Sequence, residues 1–384
     1  MARTIIGLND AKAVRRYSAF LAVDVGRTSY FNKKFMGVGI EAQTPIQTLP
    51  HLESDAGEQI AYDLILQLKM QPVEGDNTLE GKEEDLKMFT DQVYIDQARG
   101  GVNTGGRMTR KRTIHDLRKI ARARQSEWWA RIFDELFFLY LSGGYRTTGS
   151  GASTFANADY TYSSGYAGFA GNAFFAPDVD HTVFADASGV PAANFAALTA
   201  NHKVNLALID RCVARAEVLG GGVTEIPSLE PLKIDGEDTY VMVLHPWQAY
   251  DLRTNTSTGQ WLDIQKAASG ATGQNSPIFK GGLGKYNDVV LHKHKAVLRR
   301  TDGGSGAVAV ARALFLGRQA AVCAFGSPGS NLRFDWNEES RDNGNQAVIT
   351  TASIFGIKKT RFSINSVERD FGVISVESAA ANPG

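Results

Sequence analysis

The sequence predicts an α+β protein in which one long helix and a series of short strands form the body and a charged hairpin stands out from it. Three observations carry this expectation. Helical periodicity runs from Thr109 to Leu141, two alternating strands flank a loop with almost nothing to bury, and short strands and helices follow one another from Thr239 to the C-terminus.

The bulk numbers set the frame. With 384 residues, 43% of them hydrophobic, the chain can fill a substantial core as an ordinary soluble globular protein. Lys and Arg number 41 against 41 Asp and Glu, so no histone-like surface for wrapping nucleic acid is expected. The N-terminus, MARTIIGLNDAKAVRRYSAF, lacks the apolar centre of a secretory signal, and no later run is long enough to cross a bilayer, so the chain is expected to stay in the cytosol where it is made. Cys212 and Cys323 lie far apart on a helical and a strand segment, outside any CxxC pair, and read as buried small hydrophobes.

Residues 1–59 show little periodicity and carry two prolines in PIQTLPHLES, which reads as an extended arm. In 60–106, Ile60 to Val73 alternates, with Tyr62, Leu64, Leu66 and Leu68 on one face, and Met88 to Arg99 forms a matching strand. Between them lies EGDNTLEGKEEDLK, rich in acids, so the pair should project from the body, either merely solvated or lying across a neighbouring subunit.

The helix at Thr109–Leu141 places Ile114, Leu117, Ala121, Trp128, Ile132, Leu136 and Leu139 on one stripe and ends at Ser142, Gly143 and Gly144, predicting a spine on the order of 50 Å. Its first half is basic, with Arg110, Lys111, Arg112, Arg118, Lys119, Arg122 and Arg124, and no aromatic residues interleave as they would in a single-strand stacking platform. Such a stretch is solvated or bridges to acids, those of the hairpin included; direct genome contact is the other reading.

Residues 143–201 are poor in charge and rich in Gly, Ala, Ser, Phe and Tyr, which reads as irregular, partly buried connection. A second amphipathic helix follows from Lys203 to Leu219, with Leu208, Ile209, Cys212, Ala216 and Leu219 inward. Up to residue 330 a mixed unit is expected, with strands at TYVMVL, DVVLHKHKAVL, AVAVARALFLG and QAAVCAF and short helices at PWQAYDLR and WLDIQKAA. From Asn331 on, LRFDWNEES, AVITTASIFGIKKTRFS and FGVISVES should return as strands beside the spine.

A search for chemistry returns little. GGLGK at Gly281 to Lys285 has Phe279 in the frame of a first glycine and Tyr286 after the lysine, unlike a phosphate loop. His292 and His294 share a strand face but lack a third ligand and sit among Lys293 and Lys295; they read as surface histidines. Asp178, Asp180 and His181 lack the glycine turn and terminal Glu of a calcium loop and read as a polar turn. GGSGA at Gly303 is not a nucleophile elbow but a hairpin turn, and Glu338 and Glu339 should point to opposite sheet faces. His51, His115, His202 and His245 stand singly, in structural roles. No catalytic, cofactor-binding or metal-binding residue is expected, and no cofactor.

Four segments, YVMVLHPWQAYDLRT, WLDIQKAA, SPIFKGGLGKYNDVVLHKHKAVL and FDWNEESRDNGNQAVITTASIFGIKKTRFS, resemble in order the major capsid proteins of N4-type tailed bacteriophages, and WWARIFDELFFLYLSGG is similar too. The resemblance implies a Hong Kong 97-like capsid fold. Residues 1–59 would be its N-terminal arm, 60–106 its extended loop, 107–204 a peripheral domain on the spine helix, 205–330 an axial domain, and 331–384 the return to the peripheral sheet. The implied function is a non-enzymatic subunit of an icosahedral shell around double-stranded DNA, assembled in the bacterial cytoplasm into hexamers and pentamers. Partners would be further copies, a portal protein, scaffolding or decoration proteins, and weakly the packaged DNA.

Shell building calls for many modest contacts between copies. We expect Glu80, Glu83, Glu84 and Asp85 to meet Arg110, Lys111 and Arg112 of an adjacent subunit. The competing readings are a cytosolic enzyme with a cleft in the aromatic-rich 143–201 region, and a DNA-binding structural protein using the basic helix.

Overall fold

Polar side chains decide where the long helix begins. In the computed structural model, which describes all residues except 1–10, 40–41, 51–52, 54–56, 66–67, 69, 144–157, 163–168, 221–227, 235, 256–282, 305, 307, 328–331 and 365, and only the backbone of 11–16 and 110, the N-terminal elements are α1 (Ala11–Thr28), α2 (Tyr30–Lys34), β1 (Met36–Val38), β2 (Ile46–Leu49), β3 (Gln59–Ile65), β4 (Met88–Tyr94) and β5 (Asp96–Asn103). Then come α3 (Arg107–Arg112) and α4 (Leu117–Ser142). The helix expected from Thr109 is therefore broken. Thr113 is extended and its hydroxyl accepts from the His115 N–H, while the Asp116 carboxylate caps α4 by accepting from Arg118 and Lys119 N–H at 3.1 and 3.3 Å. Side chains that bond to nearby backbone compete with the helix. The spine has 26 residues, about 39 Å at 1.5 Å each. Ile114, expected on its buried stripe, is fully exposed.

Gly143 ends the spine as the sequence predicts. Its φ is 75°, its N–H bonds to Tyr140 O, and a Cβ there would sit 2.1 Å from Phe175 O, so only glycine fits. The C-terminal half of α4 is buried from Ile132 to Leu141 apart from Asp134, and uncharged on every face from Leu136 to Leu141.

The expected extended arm is partly a helix. On α1, Tyr17 stacks on Trp336 at 5.5 Å, Leu21 and Val25 are buried, and Asp24 pairs with Arg122 of α4 at 2.6 Å. The four-residue spacing of Tyr17, Leu21 and Val25 is the helical signal that the proline-rich segment downstream obscured.

After the spine come β6 (Thr182–Phe184), β7 (Asp186–Ala187), β8 (Val190–Pro191), α5 (Leu206–Val218), β9 (Leu232–Ile234), β10 (Glu237–Leu244), α6 (Pro246–Thr254), β11 (Gly284–Tyr286), β12 (Val289–Lys293), β13 (Arg299–Gly303), β14 (Val308–Leu316) and β15 (Ala321–Gly326). The last elements are β16 (Phe334–Arg341), β17 (Gln346–Lys359), β18 (Arg361–Ile364), β19 (Val367–Asp370) and β20 (Val373–Ala379). One sheet has six strands: β1, β2, β15, β17 and β16 in order, with β5 also on β17. The other has eight, with β11, β12, β10, β14, β20 and β6 in order, β13 on β14 and β9 on β10.

Of the hydrophobic clusters among the described residues, the two largest lie on opposite faces of the eight-stranded sheet. Val241 and Val243 of β10 face the core built on α4, while Tyr240, Met242 and Leu244 face the core built on α5 with Leu208, Ile209 and Cys212. Both cysteines are buried and unpaired, and burial pushes the Cys212 thiol up to about 12. Strands β16 and β17 lie in the sheet beside the spine. FGVISVES, expected there too, forms β20 instead and pairs with β14 from Val310↔Ala379 to Leu316↔Val373. All seven β20 residues are buried, so the strand needs a layer on each face, which the central place beside β14 provides.

Candidate subunit interface

The arm begins as a two-stranded stem, β3 paired antiparallel with β4 from Gln59↔Tyr94 to Ile65↔Met88. The first strand ends at Ile65 rather than Val73; Leu68 is exposed, and Leu66 lies outside the described residues. Ile60 and Val93 join Leu49, Val322 and Ala324 at the root. Further out, Tyr62, Leu64 and Phe89 pack on Phe362, Ile364 and Phe371 of the β18–β19 hairpin.

A polar clamp closes beside this packing. The Tyr62 hydroxyl donates to Asp91 at 2.5 Å, and Lys358 pairs with Asp91 and donates to Gln92 O at 3.0 Å. Burial, reinforced by the Asp91 charge, raises the Tyr62 hydroxyl well above the usual phenol range. At Gly356 of β17 a Cβ would meet Tyr94 O at 1.9 Å, so glycine lets the stem cross the sheet closely. None of these stem contacts was foreseen from sequence; the alternation of FSINSVERDF between residues 362 and 371 was the available signal.

The loop carries the predicted acids. Glu80, Glu83 and Asp85 are exposed, and Glu84 is half-buried. Local backbone holds two of them: Glu84 accepts from Met70 N–H at 2.7 Å and Glu83 from Gly81 N–H at 2.8 Å. The loop also exposes Leu68, Met70, Leu79 and Leu86, which the sequence reading did not count as contact residues.

Lys111 and Arg112 are exposed on α3, between the exposed Met108 and Ile114; the Arg110 side chain lies outside the described residues. Among the described residues, none of Glu80, Asp85, Lys111 and Arg112 makes an ion pair within the chain. The spine arginines are different. Arg118 pairs with Glu338, Arg122 with Asp24, Arg124 with Glu127 and Arg131 with Glu135, at 2.6, 2.6, 2.6 and 3.5 Å, so their partners are these acids and not those of the hairpin loop.

The other motifs resolve into structure. Lys285 is held by Glu237 and Asp288 at 2.8 and 3.1 Å, while Gly281 and Gly282 lie outside the described residues. His292 and His294 are not surface histidines: Phe35 lies edge-on to His292 at 5.2 Å, and Phe138 stacks on His294 at 4.7 Å, because β12 enters the aromatic core beside α2. Burial and two nearby lysines lower the His294 pKa to about 4. Asp178 and Asp180 pair with Arg369, and His181 beside them is buried. His245 caps α6 in a reciprocal box with Gln248. Glu338 is buried against Trp336 Nε1, whereas Glu339 faces out and pairs with Arg341. Among the described residues, no group of His, Cys, Asp and Glu is arranged to hold a metal ion.

In the 143–201 region, Phe169 stacks on Phe355 at 4.4 Å, Phe174 lies 4.3 Å from Tyr140, and the Tyr162 hydroxyl donates to Ala296 O. These aromatics pack into the core around the spine, while 144–157 and 163–168 lie outside the described residues. An open polar trough of about 670 Å³ lies across β5, β16 and β17, walled by Arg99, Asn103, Asp335, Asn337, Glu339 and Arg341.

Comparisons with known proteins bear on the family and the fold. The model of a family described as phage capsid protein matches residues 5–382. The major capsid protein of Pseudomonas phage KPP25 is 31% identical over 364 residues, covering 90% of each chain. Among solved structures, the capsid of Ralstonia phage GP4 matches with 43% identity over 100% of each chain and a TM-score of 0.81. The capsid asymmetric unit of cyanophage Pam1, 20% identical over 93% of each chain with a TM-score of 0.68, shares the fold.

Proposed function

The chain belongs to the phage capsid protein family, and from this premise we propose how it builds a shell: the acidic loop of one copy docks on the basic α3 corner of the next. It is a structural subunit of a phage capsid with the Hong Kong 97-like fold, and its relatives are shell proteins, not enzymes. Copies form the hexamers and pentamers of an icosahedral shell around double-stranded DNA. Within each copy, residues 1–59 act as the arm, 60–106 as the extended loop, 107–204 with 331–384 as the peripheral unit, and 205–330 as the axial unit, though β20 pairs into the sheet of the last.

One observation carries the docking: charged and apolar side chains stand exposed together on two separate surfaces. Glu80, Glu83, Asp85 and the half-buried Glu84 sit among Leu79 and Leu86 on the loop, Lys111 and Arg112 at the end of α3 between Met108 and Ile114, with Arg110 adjoining in sequence. Opposite charge fixes register, and covering a leucine contributes about 1.5–3 kcal/mol before ordering costs. Contacts of that size let subunits anneal before the shell locks.

Charge reversal of Glu83, Glu84 and Asp85 to Lys tests the docking. The monomer should keep its melting temperature while particles disappear from electron micrographs; unimpaired assembly refutes the contact. The ordered segments from Thr239 to Ser363 support the narrower kinship with N4-type phages. Assembly takes place in the bacterial cytoplasm, with a portal protein and scaffolding or decoration proteins as further partners. Balanced charge keeps contact with packaged DNA weak and salt-sensitive.

A further inference from the structure

An isolated pair of antiparallel strands is marginal in water, yet among the described residues β3 and β4 pair only with each other. The root of the stem packs on Leu49, Val322 and Ala324, and further out another two-stranded hairpin, β18–β19, covers it. Tyr62, Leu64 and Phe89 from the stem meet Phe362, Ile364 and Phe371 from that hairpin, with the Tyr62 ring edge-on to Phe362 at 6.0 Å. Lys358, immediately before the hairpin, reaches back to Asp91 and Gln92 O of the stem.

We propose that β18–β19 is the bracket that sets the direction in which the arm leaves the body, with Phe362, Phe371 and Lys358 as positioning residues for assembly. The inference rests on the capsid reading given above.

Three further observations fit a bracket better than a loose cover. The hairpin's root is fastened into the body: Lys359 pairs with Asp370 at 2.8 Å, both fully buried, and Asp370 also accepts from the Asp178 N–H at 3.1 Å. Three residues beyond, His181 O accepts from the Ser375 N–H at 2.8 Å, tying the same turn to β20 and the eight-stranded sheet. The bracket therefore cannot tilt without disturbing a buried ion pair. Second, it grips one face only: Ala61, Asp63, Ile65, Met88 and Thr90 on the other face are exposed and free to meet a neighbouring copy. Third, leverage makes direction matter. Seven stem residues span roughly 24 Å, so a 10° tilt moves the far end by about 4 Å, enough to break every hydrogen bond of a register.

The test uses the full-length chain. Phe362→Ala with Phe371→Ala removes the apolar grip, Lys358→Met removes the clamp, and Phe362→Leu is the conservative control. Hydrogen exchange on the unassembled chain should quicken at least tenfold in 59–65 and 88–94 for the double variant and about threefold for Lys358→Met, with β14 and β20 unchanged. The yield of particles of uniform diameter should fall at least tenfold for the double variant, measurably for Lys358→Met, and return with Phe362→Leu. Unchanged protection of the stem overturns the bracket, as does a loosened stem whose particles keep normal yield and diameter. Should the double variant lose protection in β14 as well, Lys358→Met decides by the same criteria. A wild-type chain that yields no particles defeats the capsid reading instead, and the exchange arm still judges the bracket.

Discussion

Strands β10 and β3 both alternate, but they do different things with their second face. In β10, Val241 and Val243 enter one core while Tyr240, Met242 and Leu244 enter another, so both faces are covered within the chain. In β3, Ile60, Tyr62 and Leu64 turn inward while Ala61, Asp63 and Ile65 meet solvent, and the loop beyond exposes apolar and acidic residues together. The difference teaches where this molecule is finished and where it is not. Both faces of β10 are covered within one chain, whereas the outer face of the arm is left open for the contact proposed with another copy.

The largest effect tests the body. Trp129 is fully buried on α4, edge-on to Phe334 and Phe355, with its indole N–H donating to Thr351 Oγ1 at 2.8 Å. Trp129→Ala should cost about 3–5 kcal/mol in denaturant unfolding, through a cavity and the loss of the bond that Thr351 Oγ1 accepts from the indole. A cost under about 1 kcal/mol would mean the body is less tightly specified than the comparison assumes.

An intermediate effect comes from the fastening of α2 to the spine. The Asp134 carboxylate accepts from Ser29 Oγ at 2.8 Å and from the N–H groups of Tyr30 and Phe31 at 2.9 and 3.1 Å, yet burial outweighs these bonds and raises its pKa to about 6. The folded chain thus holds this proton more tightly than the unfolded chain, whose carboxylate titrates near about 4. The stability contributed is full below about pH 4 and is lost as pH rises through about 6, on the order of 2 kcal/mol. The difference in unfolding free energy between the wild type and Asp134→Asn should fall by this amount between pH 4 and 7, against the opposite rise that the lowered pKa of His294 imposes on both chains. An equally steep slope in the variant would assign it to other groups.

The smallest effect on the monomer belongs to the arm. Leu79→Ser with Leu86→Ser should change monomer stability by no more than about 0.5 kcal/mol, because both side chains are already exposed, while particle yield falls. A marked loss of monomer stability would show that the loop is covered within its own chain and would erase the contrast between the two regions.

Local patterns carried much of this architecture. The alternation of Tyr62 and Leu64, the glycine stop at Gly143, the inward face of α5 and the opposite facing of Glu338 and Glu339 all follow from periods of 2 and 3.6 residues and from single-residue conformational limits. The misreadings share a cause. The break at Thr113–Asp116 turned on which polar side chain would claim a backbone N–H, and the burial of His292 and His294 on where β12 would land. For the proposed interface, the exposed acids and Lys111 were legible as charge runs, whereas the exposed apolar residues beside them, Leu79, Leu86, Met108 and Ile114, became visible only once the fold left them uncovered.

By itself the sequence determined the class of elements, the balance of charge and the presence of a projecting acidic hairpin, because these depend on composition and on neighbours a few residues apart. Only the tertiary structure decided that β20 leaves the spine's sheet for β14, that α1 lies on Trp336, and that Phe362, Ile364 and Phe371 brace a stem some 300 residues earlier. Those choices are settled by competition between long-range partners for the same buried face, and no local period records which partner prevails.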